Sequence, residues 1–362
     1  MRIVAVSDVT VGYGTPQLPL FVESLLDFYR GEAVVVEPAQ PELAPRHSAF
    51  PRFQIHSVRT AEHPHSTLGR MEYVWRASDL LNRLRPDILL ICCTYCLPVA
   101  FRLKHRPAKT IYYSLESIPF YGEFDIEMNR RAAPLVDVVV FPEENRAALE
   151  VARCGFRGVP VVVVFNVSNR RKDGCHPQPL EKRNGRILYS GTISRQQTFA
   201  DYYLSQTLRS MPIDLFGPIK GSPEDREKLT SGIGGAQRYG GYLNSEQLAQ
   251  LRPAYAYSIV AWNPDNEGQL YAAPNKFFEA IAAGVPPIAA PHPQCRLVIN
   301  RYQCGLLMPD WSYEAFVATL RKALDLYGTD SWLEMVRNCQ RAVAAELNWE
   351  FQFDKLKMVL KS

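Results

Sequence analysis

Residues 272–291 read AAPNKFFEAIAAGVPPIAAP, and they decide how the chain is read. Pro274 suits the turn just before or at a helix start. Asn275 is a good N-cap, Gly284 suits the position after the last turn, and Val285–Pro286 leads into a strand. A helix over roughly 275–283 is therefore expected. Phe277, Phe278, Ala280, Ile281 and Ala282 make it apolar, and Glu279 is its only acid. An unpaired buried carboxylate is costly, so Glu279 needs donors. Lys276, three residues earlier, can supply one locally. Yet a cation at a helix start opposes the macrodipole. A lysine together with free backbone N–H groups suits an anion outside the helix. Glu279, one turn in, can accept two neighbouring hydroxyls. A local ion pair and a nucleoside diphosphate site both fit the helix alone.

Moving outward, the first half repeats a strand-then-helix rhythm. RIVAVSD, EAVVVEP, PDILLICC, KTIYYSLES, DVVVFPEE and PVVVVFN read as short apolar strands, with helical spacing in LFVESLLDFYR and YVWRASDLLNRLR. Continuous rather than alternating hydrophobic runs indicate strands buried on both faces. Residues 166–185, NVSNRRKDGCHPQPLEKRNG, are polar and rich in Pro, Gly and charge, and read as a linker. The rhythm then restarts with RILYSGTI, IDLFGP, SEQLAQLRPA, YSIVAW, the quoted helix, PPIAAP and the amphipathic SYEAFVATLRKALDLY. The expected fold is α/β, with two doubly wound Rossmann-like domains facing across a cleft. Ligands of such sheets bind beyond the carboxyl ends of the strands.

Composition narrows the function. At 362 residues, 47% hydrophobic, the chain suits two domains. Residues 1–180 hold 21 basic and 19 acidic groups, and the remainder 20 and 18. The net charge of +4 is spread evenly, which argues against nucleic acid as a partner. No stretch approaches eighteen consecutive apolar residues, so no membrane span is expected. MRIVAVSDV is too short and too acidic at Asp8 for a signal peptide, so a cytoplasmic protein is expected. Of the eight cysteines, Cys93 and Cys96 form one lone C-x-x-C without a second pair, which reads as buried thiols rather than a zinc site. His63 and His65 read as loop residues.

PNKFFEAIAAGVPPIA resembles the Pro-Asn-Lys-x-x-Glu-x-x-Ala-x-Gly-x-Pro signature of GT-B glycosyltransferases of the family-4-like group. ILYSGTISRQQ, IDLFGP, RYGGYLNSEQLAQLRPAYAYSIVAW, CGLLMPDWSYEAFVATLRKAL and NWEFQFDKL continue the resemblance from about residue 185 onward, and before that it is architectural. The resemblance implies an acceptor domain at 1–168, a nucleotide-sugar domain at 169–345 and a final segment at 346–362 crossing back to the first domain. It assigns Glu279 to the ribose, and Asn275 and Lys276 to the donor phosphates. Gly191, Thr192 and Arg195 fall in the loop beside the pyrophosphate, Tyr242 and Leu243 cradle the base, and Gln269, Leu270 and Tyr271 lie by the donor sugar. One departure stands out: many relatives carry a second Glu where this chain has Tyr271, while Glu267 and Asp265 are out of register.

In the first half, Gly12 and Gly14 follow the first strand without completing a dinucleotide fingerprint, which argues against a nicotinamide enzyme. They permit a tight loop on the acceptor side. IYYSLESIPFYGEFD places Glu116 just past a strand end, where an acid can deprotonate an acceptor hydroxyl, and Asp8 is the second candidate. A carboxylate capping the next turn is the plainer reading of Glu116. The basic run RLKHRPAK, 102–109, can face an anionic membrane or complement a helix C-terminus. The expectation is a hexosyltransferase with Glu116, Arg195 and Lys276 in catalytic roles. It takes no metal or bound cofactor, has a UDP- or GDP-sugar as substrate, and retains configuration. The acceptor is a glycan, lipid-linked or small molecule, in bacterial glycan or natural-product synthesis, with peripheral contact at the inner membrane face. A nucleotide-sugar epimerase and a catalytically silent partner of the same architecture are the alternatives.

Overall fold

The computed structural model describes residues 1–44, 46–117, 122–195 and 198–361. Its strands are β1 (Arg2–Val6), β2 (Glu32–Pro38), β3 (Gln54–Val58), β4 (Ile88–Cys92), β5 (Lys109–Tyr113), β6 (Val138–Phe141) and β7 (Val161–Val163), then β8 (Ile187–Ser190), β9 (Ile213–Phe216), β10 (Arg238–Tyr239), β11 (Tyr257–Val260), β12 (Pro287–Ala289) and β13 (Leu306–Leu307). The helices of the first half are α1 (Gln17–Tyr29), α2 (Thr67–Leu84), α3 (Glu123–Ala132) and α4 (Glu144–Arg153). Those of the second are α5 (Ala200–Tyr203), α6 (Gln206–Arg209), α7 (Pro223–Gly232), α8 (Ser245–Leu251), α9 (Glu267–Leu270), α10 (Asn275–Ala282), α11 (Pro293–Tyr302), α12 (Tyr313–Leu326), α13 (Asp330–Ala345) and α14 (Trp349–Leu360).

The chain forms two compact units. Unit 1 is Met1–Phe165 with Gln352–Ser362, and unit 2 is Asn166–Phe351. Unit 1 carries a parallel sheet in the order β3-β2-β1-β4-β5-β6-β7. Its central strands are β-branched and buried along their length, as two covered faces require. Val4, Val36, Leu89, Ile91, Tyr112 and Phe141 meet Tyr73, Ala77 and Leu81 of α2 in its core. The edge strand β3 is different: Gln54, His56 and Ser57 make it polar and mostly open, and the hydrophobic pattern did not single it out.

Unit 2 carries a parallel sheet in the order β10-β9-β8-β11-β12-β13. Ile187, Tyr189, Leu215, Ile259 and Ile288 pack against Phe316, Leu320 and Trp332 of the flanking helices. In each unit the strand order reverses once. The switch lies between β1 and β4 in unit 1 and between β8 and β11 in unit 2. Ser7 and Cys93 follow the two strands at the first switch, and Gly191 and Ala261 those at the second. These are the places where such sheets bind ligands.

The helix α14 is divided between the units. Its start belongs to unit 2, where the Trp349 N–H donates to Asn169 O at 2.9 Å. From Gln352 on it completes unit 1. Gln352 Oε1 accepts from Phe165 N at 3.0 Å, and Phe353 meets Phe21 edge-on at 5.8 Å.

Candidate functional site

The geometry of unit 2 gathers around the start of α10. Pro274, extended at φ −79° and ψ 117°, is the N-cap, so Asn275 is the first helical residue rather than the cap expected from its type. Proline's fixed φ presets the turn, and no side chain caps the helix. The other end follows expectation. Gly284 sits at φ +66°, its N–H bonds Ile281 O at 3.0 Å, and Val285 N bonds Ala280 O at 2.9 Å. This is a Schellman closure, and it requires glycine.

Lys276 is half-buried, with Nζ 4.9 Å above the Tyr189 ring. A Cβ on Gly191 would lie 2.7 Å from that Nζ, and Gly191 has φ +138°. The backbone conformation calls for glycine there, and a Cβ would push the lysine's end aside. Among the described residues Lys276 has no ion pair. Desolvation lowers its pKa to about 8, with Glu279 opposing the shift and Arg252 adding to it. Tyr189 itself is fixed by donating its hydroxyl to Thr192 O at 2.5 Å, which brings Thr192 into the same turn.

Glu279 is not paired locally with Lys276. Its Oε2 accepts from Arg252 Nη2 at 2.7 Å. Arg252 comes from just past α8, 27 residues away, and it is 5% exposed against 27% for Glu279. The longer guanidinium reaches across where the lysine does not, and it leaves Lys276 uncommitted. Arg252 Nε is buried with no partner among the described residues. One carboxylate oxygen is thus tied down, while the side chain keeps a face to solvent.

The segment expected to cradle the base is joined to this cluster. Gly217 N donates to Gly241 O at 2.8 Å, and Gly217 packs so closely on Gly191 that a Cβ there would meet Gly191 O. Tyr242 then stands 71% exposed, with Leu243 half-buried beside it. Ahead of α10, Gln269 and Leu270 end α9 and Tyr271 follows it. Trp262 Nε1 donates to Gln269 O at 2.8 Å, and His292 Nδ1 lies 3.2 Å from Leu270 O. Arg252 and Trp262 lie in the resembling stretch 238–262, yet sequence gives neither them nor His292 a role.

Arg195 is placed differently from Lys276. Its Nε bonds both oxygens of Asp201 at 2.8 and 3.0 Å, and Nη1 bonds Asp225 at 3.0 Å. Both carboxylates raise its pKa by hydrogen bonding. A cation so neutralised must leave its partners to act on a ligand. Gln196 and Gln197, in the same resembling stretch, lie outside the described residues.

Asp8, Glu116, Gly12 and Gly14 belong to unit 1. Asp8 follows β1 and is hydrogen-bonded to the Cys93 thiol, while its Oδ1 is buried with no partner among the described residues. Desolvation raises its pKa above the usual carboxylate range, against the Cys93 bond and the charges of His65 and Arg70. Glu116 is an exposed residue whose pKa is also raised, by desolvation first and by Asp8 and Glu150, with Arg146 opposing. The two acids therefore sense each other at the carboxyl ends of the sheet. The backbone before Glu116 is held by Arg146, which donates to Leu115 O at 3.0 Å and Ser114 O at 2.9 Å. Gly12 and Gly14 have φ +86° and +82° and make the tight loop their spacing suggested. The buried Glu37 anchors that loop by accepting from Val11 N at 2.6 Å. Tyr121, from the stretch after Glu116, lies outside the described residues. Cys93 and Cys96 are buried free thiols whose pKa burial pushes far up, so neither is a poised thiolate.

No family model matches the chain, and no curated protein matches it in sequence. Solved structures do. HepE of Anabaena, in complex with UDP and glucose, aligns over 100% of both chains at a TM-score of 0.74 and 14% identity. The sucrose-phosphate synthase of Thermosynechococcus elongatus aligns over 100% of this chain and 98% of its own, at 0.73 and 15% identity. This is the GT-B fold. WaaG, a glycosyltransferase involved in lipopolysaccharide biosynthesis, shares it at 0.66 and 13% identity, over 99% of this chain and 100% of its own. At such identities the likeness establishes the GT-B architecture, and the chemistry rests on the residues.

Proposed function

We propose that this GT-B chain is a glycosyltransferase that moves a sugar from a nucleoside-diphosphate sugar to an acceptor hydroxyl. The observation that carries the reading is the start of α10. There an uncommitted Lys276 reaches Gly191, which packs on Gly217, and Glu279 stands one helical turn further along α10 with a side open. The helix N-terminus and Lys276 suit the diphosphate. Glu279, braced by Arg252, suits the ribose hydroxyls, and the exposed Tyr242 suits the base. In the reaction the bond between the sugar's anomeric carbon and the phosphate oxygen breaks, a bond to the acceptor oxygen forms, and the nucleoside diphosphate leaves. Lys276 and the α10 amides stabilise the charge that grows on the leaving group. These groups can do so without a divalent metal, so metal-independent transfer is part of the proposal. Retention of anomeric configuration follows the family-4-like resemblance and belongs to the proposal as well.

Unit 1 supplies the acceptor side. Glu116, its pKa raised by desolvation with Asp8 adding to the shift, takes the proton of the acceptor hydroxyl. HepE has been solved with UDP-glucose, which favours a UDP-sugar donor over a GDP-sugar for this chain. A glycan, lipid-linked or small-molecule acceptor in bacterial glycan or natural-product synthesis fits this reading, in the cytoplasm or at the inner membrane face.

Calorimetric titration with UDP, GDP, TDP and ADP, without and then with Mg²⁺, tests the donor site. Selective binding of one diphosphate without metal is the expected result. Binding of none sinks the reading. Product analysis with an acceptor panel then separates transfer from epimerisation. Glu116→Gln should leave diphosphate affinity unchanged and cut turnover at least ~100-fold, the usual weight of a general base.

A further inference from the structure

Trp262 follows β11 at the sheet's switch point, and His292 follows β12 and caps α11. Their rings stack with centroids 3.9 Å apart and planes 20° from parallel. From this stack two hydrogen bonds reach the carbonyls of consecutive residues. Trp262 Nε1 donates to Gln269 O at 2.8 Å, and His292 Nδ1 meets Leu270 O at 3.2 Å. A carbonyl only accepts, so His292 carries its proton on Nδ1. The residue is 0% exposed, and burial holds its pKa down at about 4, so the ring is neutral at pH 7. The segment they hold is a four-residue helix, too short to be stable by itself.

The position of that segment gives the pair a role. On the donor reading the diphosphate sits at the start of α10, and residues 269–271 form the chain's approach to that helix. Residues 269–271, Gln, Leu and Tyr, carry no acid. The sugar must then be oriented by the shape and backbone of 269–271, which only a fixed segment can do. We propose that Trp262 and His292 are positioning residues for the sugar half of the donor, acting by locking Gln269 and Leu270 in place. This rests on the donor reading above.

The test separates the two halves of the donor. The full chain is titrated with UDP and with UDP-glucose, or with another diphosphate and its glucose ester if the first panel selects a different base. The variants are Trp262→Phe, which keeps a ring and removes the donor, His292→Leu, which removes stack and donor, and His292→Asn, which keeps an N–H near Nδ1. Trp262→Phe and His292→Leu should bind UDP within about twofold of wild type and UDP-glucose at least about fivefold more weakly, with KM for the sugar donor raised. His292→Asn should recover most of the loss. Equal changes for the two ligands, or none, overturn the proposal, as does a His292→Asn no better than His292→Leu. If His292→Leu does not fold, Trp262→Phe and His292→Asn still decide. A wild type that binds no diphosphate overturns the donor reading itself, whereas normal UDP binding with unaffected variants overturns this inference alone.

Discussion

Among the described residues, each unit pairs a buried arginine with a glutamate, Arg146–Glu150 and Arg252–Glu279, and the two are built to different ends. In unit 1, Arg146 and Glu150 are 4% and 1% exposed, one helical turn apart on α4. Arg146 donates to Glu150, Leu115 O and Ser114 O, and Glu150 accepts a second bond from Ser114 Oγ. In unit 2, Arg252 makes its one charged bond to Glu279, its Nε has no partner among the described residues, and Glu279 keeps 27% of its side chain open. Desolvating two charges is offset only when the remaining valences are used. The first pair uses them on its own backbone and is architecture. The second leaves them over, at a helix start that also holds an uncommitted lysine. Spare bonding capacity, not the ion pair itself, marks the proposed site.

The comparison can be broken in four ways. Arg146→Met strands Glu150 in the core and should cost about 3–5 kcal/mol of stability, read as a large fall in the thermal midpoint with no selective loss of nucleotide affinity. A mild effect would mean that unit 1's pair is as unfinished as unit 2's. Glu279→Gln keeps an acceptor for Arg252 but loses the charge. It should weaken UDP binding about tenfold, ~1.4 kcal/mol, and shrink the preference for UDP over 2′-deoxy-UDP. Unchanged affinity would show that the open oxygen serves something other than ribose.

Lys276 sharpens the contrast through pH. Its folded-state pKa of about 8 lies below the ordinary lysine value, so the cation is half-formed near pH 8, fills as pH falls and is lost as pH rises. A bound diphosphate favours the protonated form, so binding should take up about half a proton at pH 8 and weaken as pH rises further. Calorimetry in buffers of different ionisation heat measures this uptake, and Lys276→Met should abolish it. The smallest effect belongs to Arg195. Its pairs with Asp201 and Asp225 are screened by solvent, so Arg195→Met should leave the thermal midpoint nearly unchanged. A clear loss of turnover in the same variant would show that the arginine leaves its carboxylates to reach the diphosphate.

The sequence made the local features legible. Pro274, Asn275, Lys276, Glu279 and Gly284 lie within eleven residues, and their types state a helix start, an anion preference and a left-handed stop. The continuous β-branched runs announced parallel sheets for the same reason: burial on both faces is written into each strand. Capping preference alone favours Asn275, and only the backbone angles make Pro274 the cap. Arg252 escaped because it meets Glu279 through space, from a turn with no periodic signal. Trp262 and His292 escaped because they look like strand-end core, and only the carbonyls they meet give them a purpose. The polar edge strand β3 was missed because it buries too little to show a pattern.

The divided helix α14 bears on the order in which the protein is made. Unit 1 begins at Met1 but lacks Phe353 against Phe21, and Gln352 against Phe165, until those residues leave the ribosome. All of unit 2 is translated in between. Domains ordinarily fold in the order of synthesis. Here the first unit to emerge waits for the second before it can close, so a ribosome that stalls inside unit 2 leaves an unfinished first half exposed to quality control.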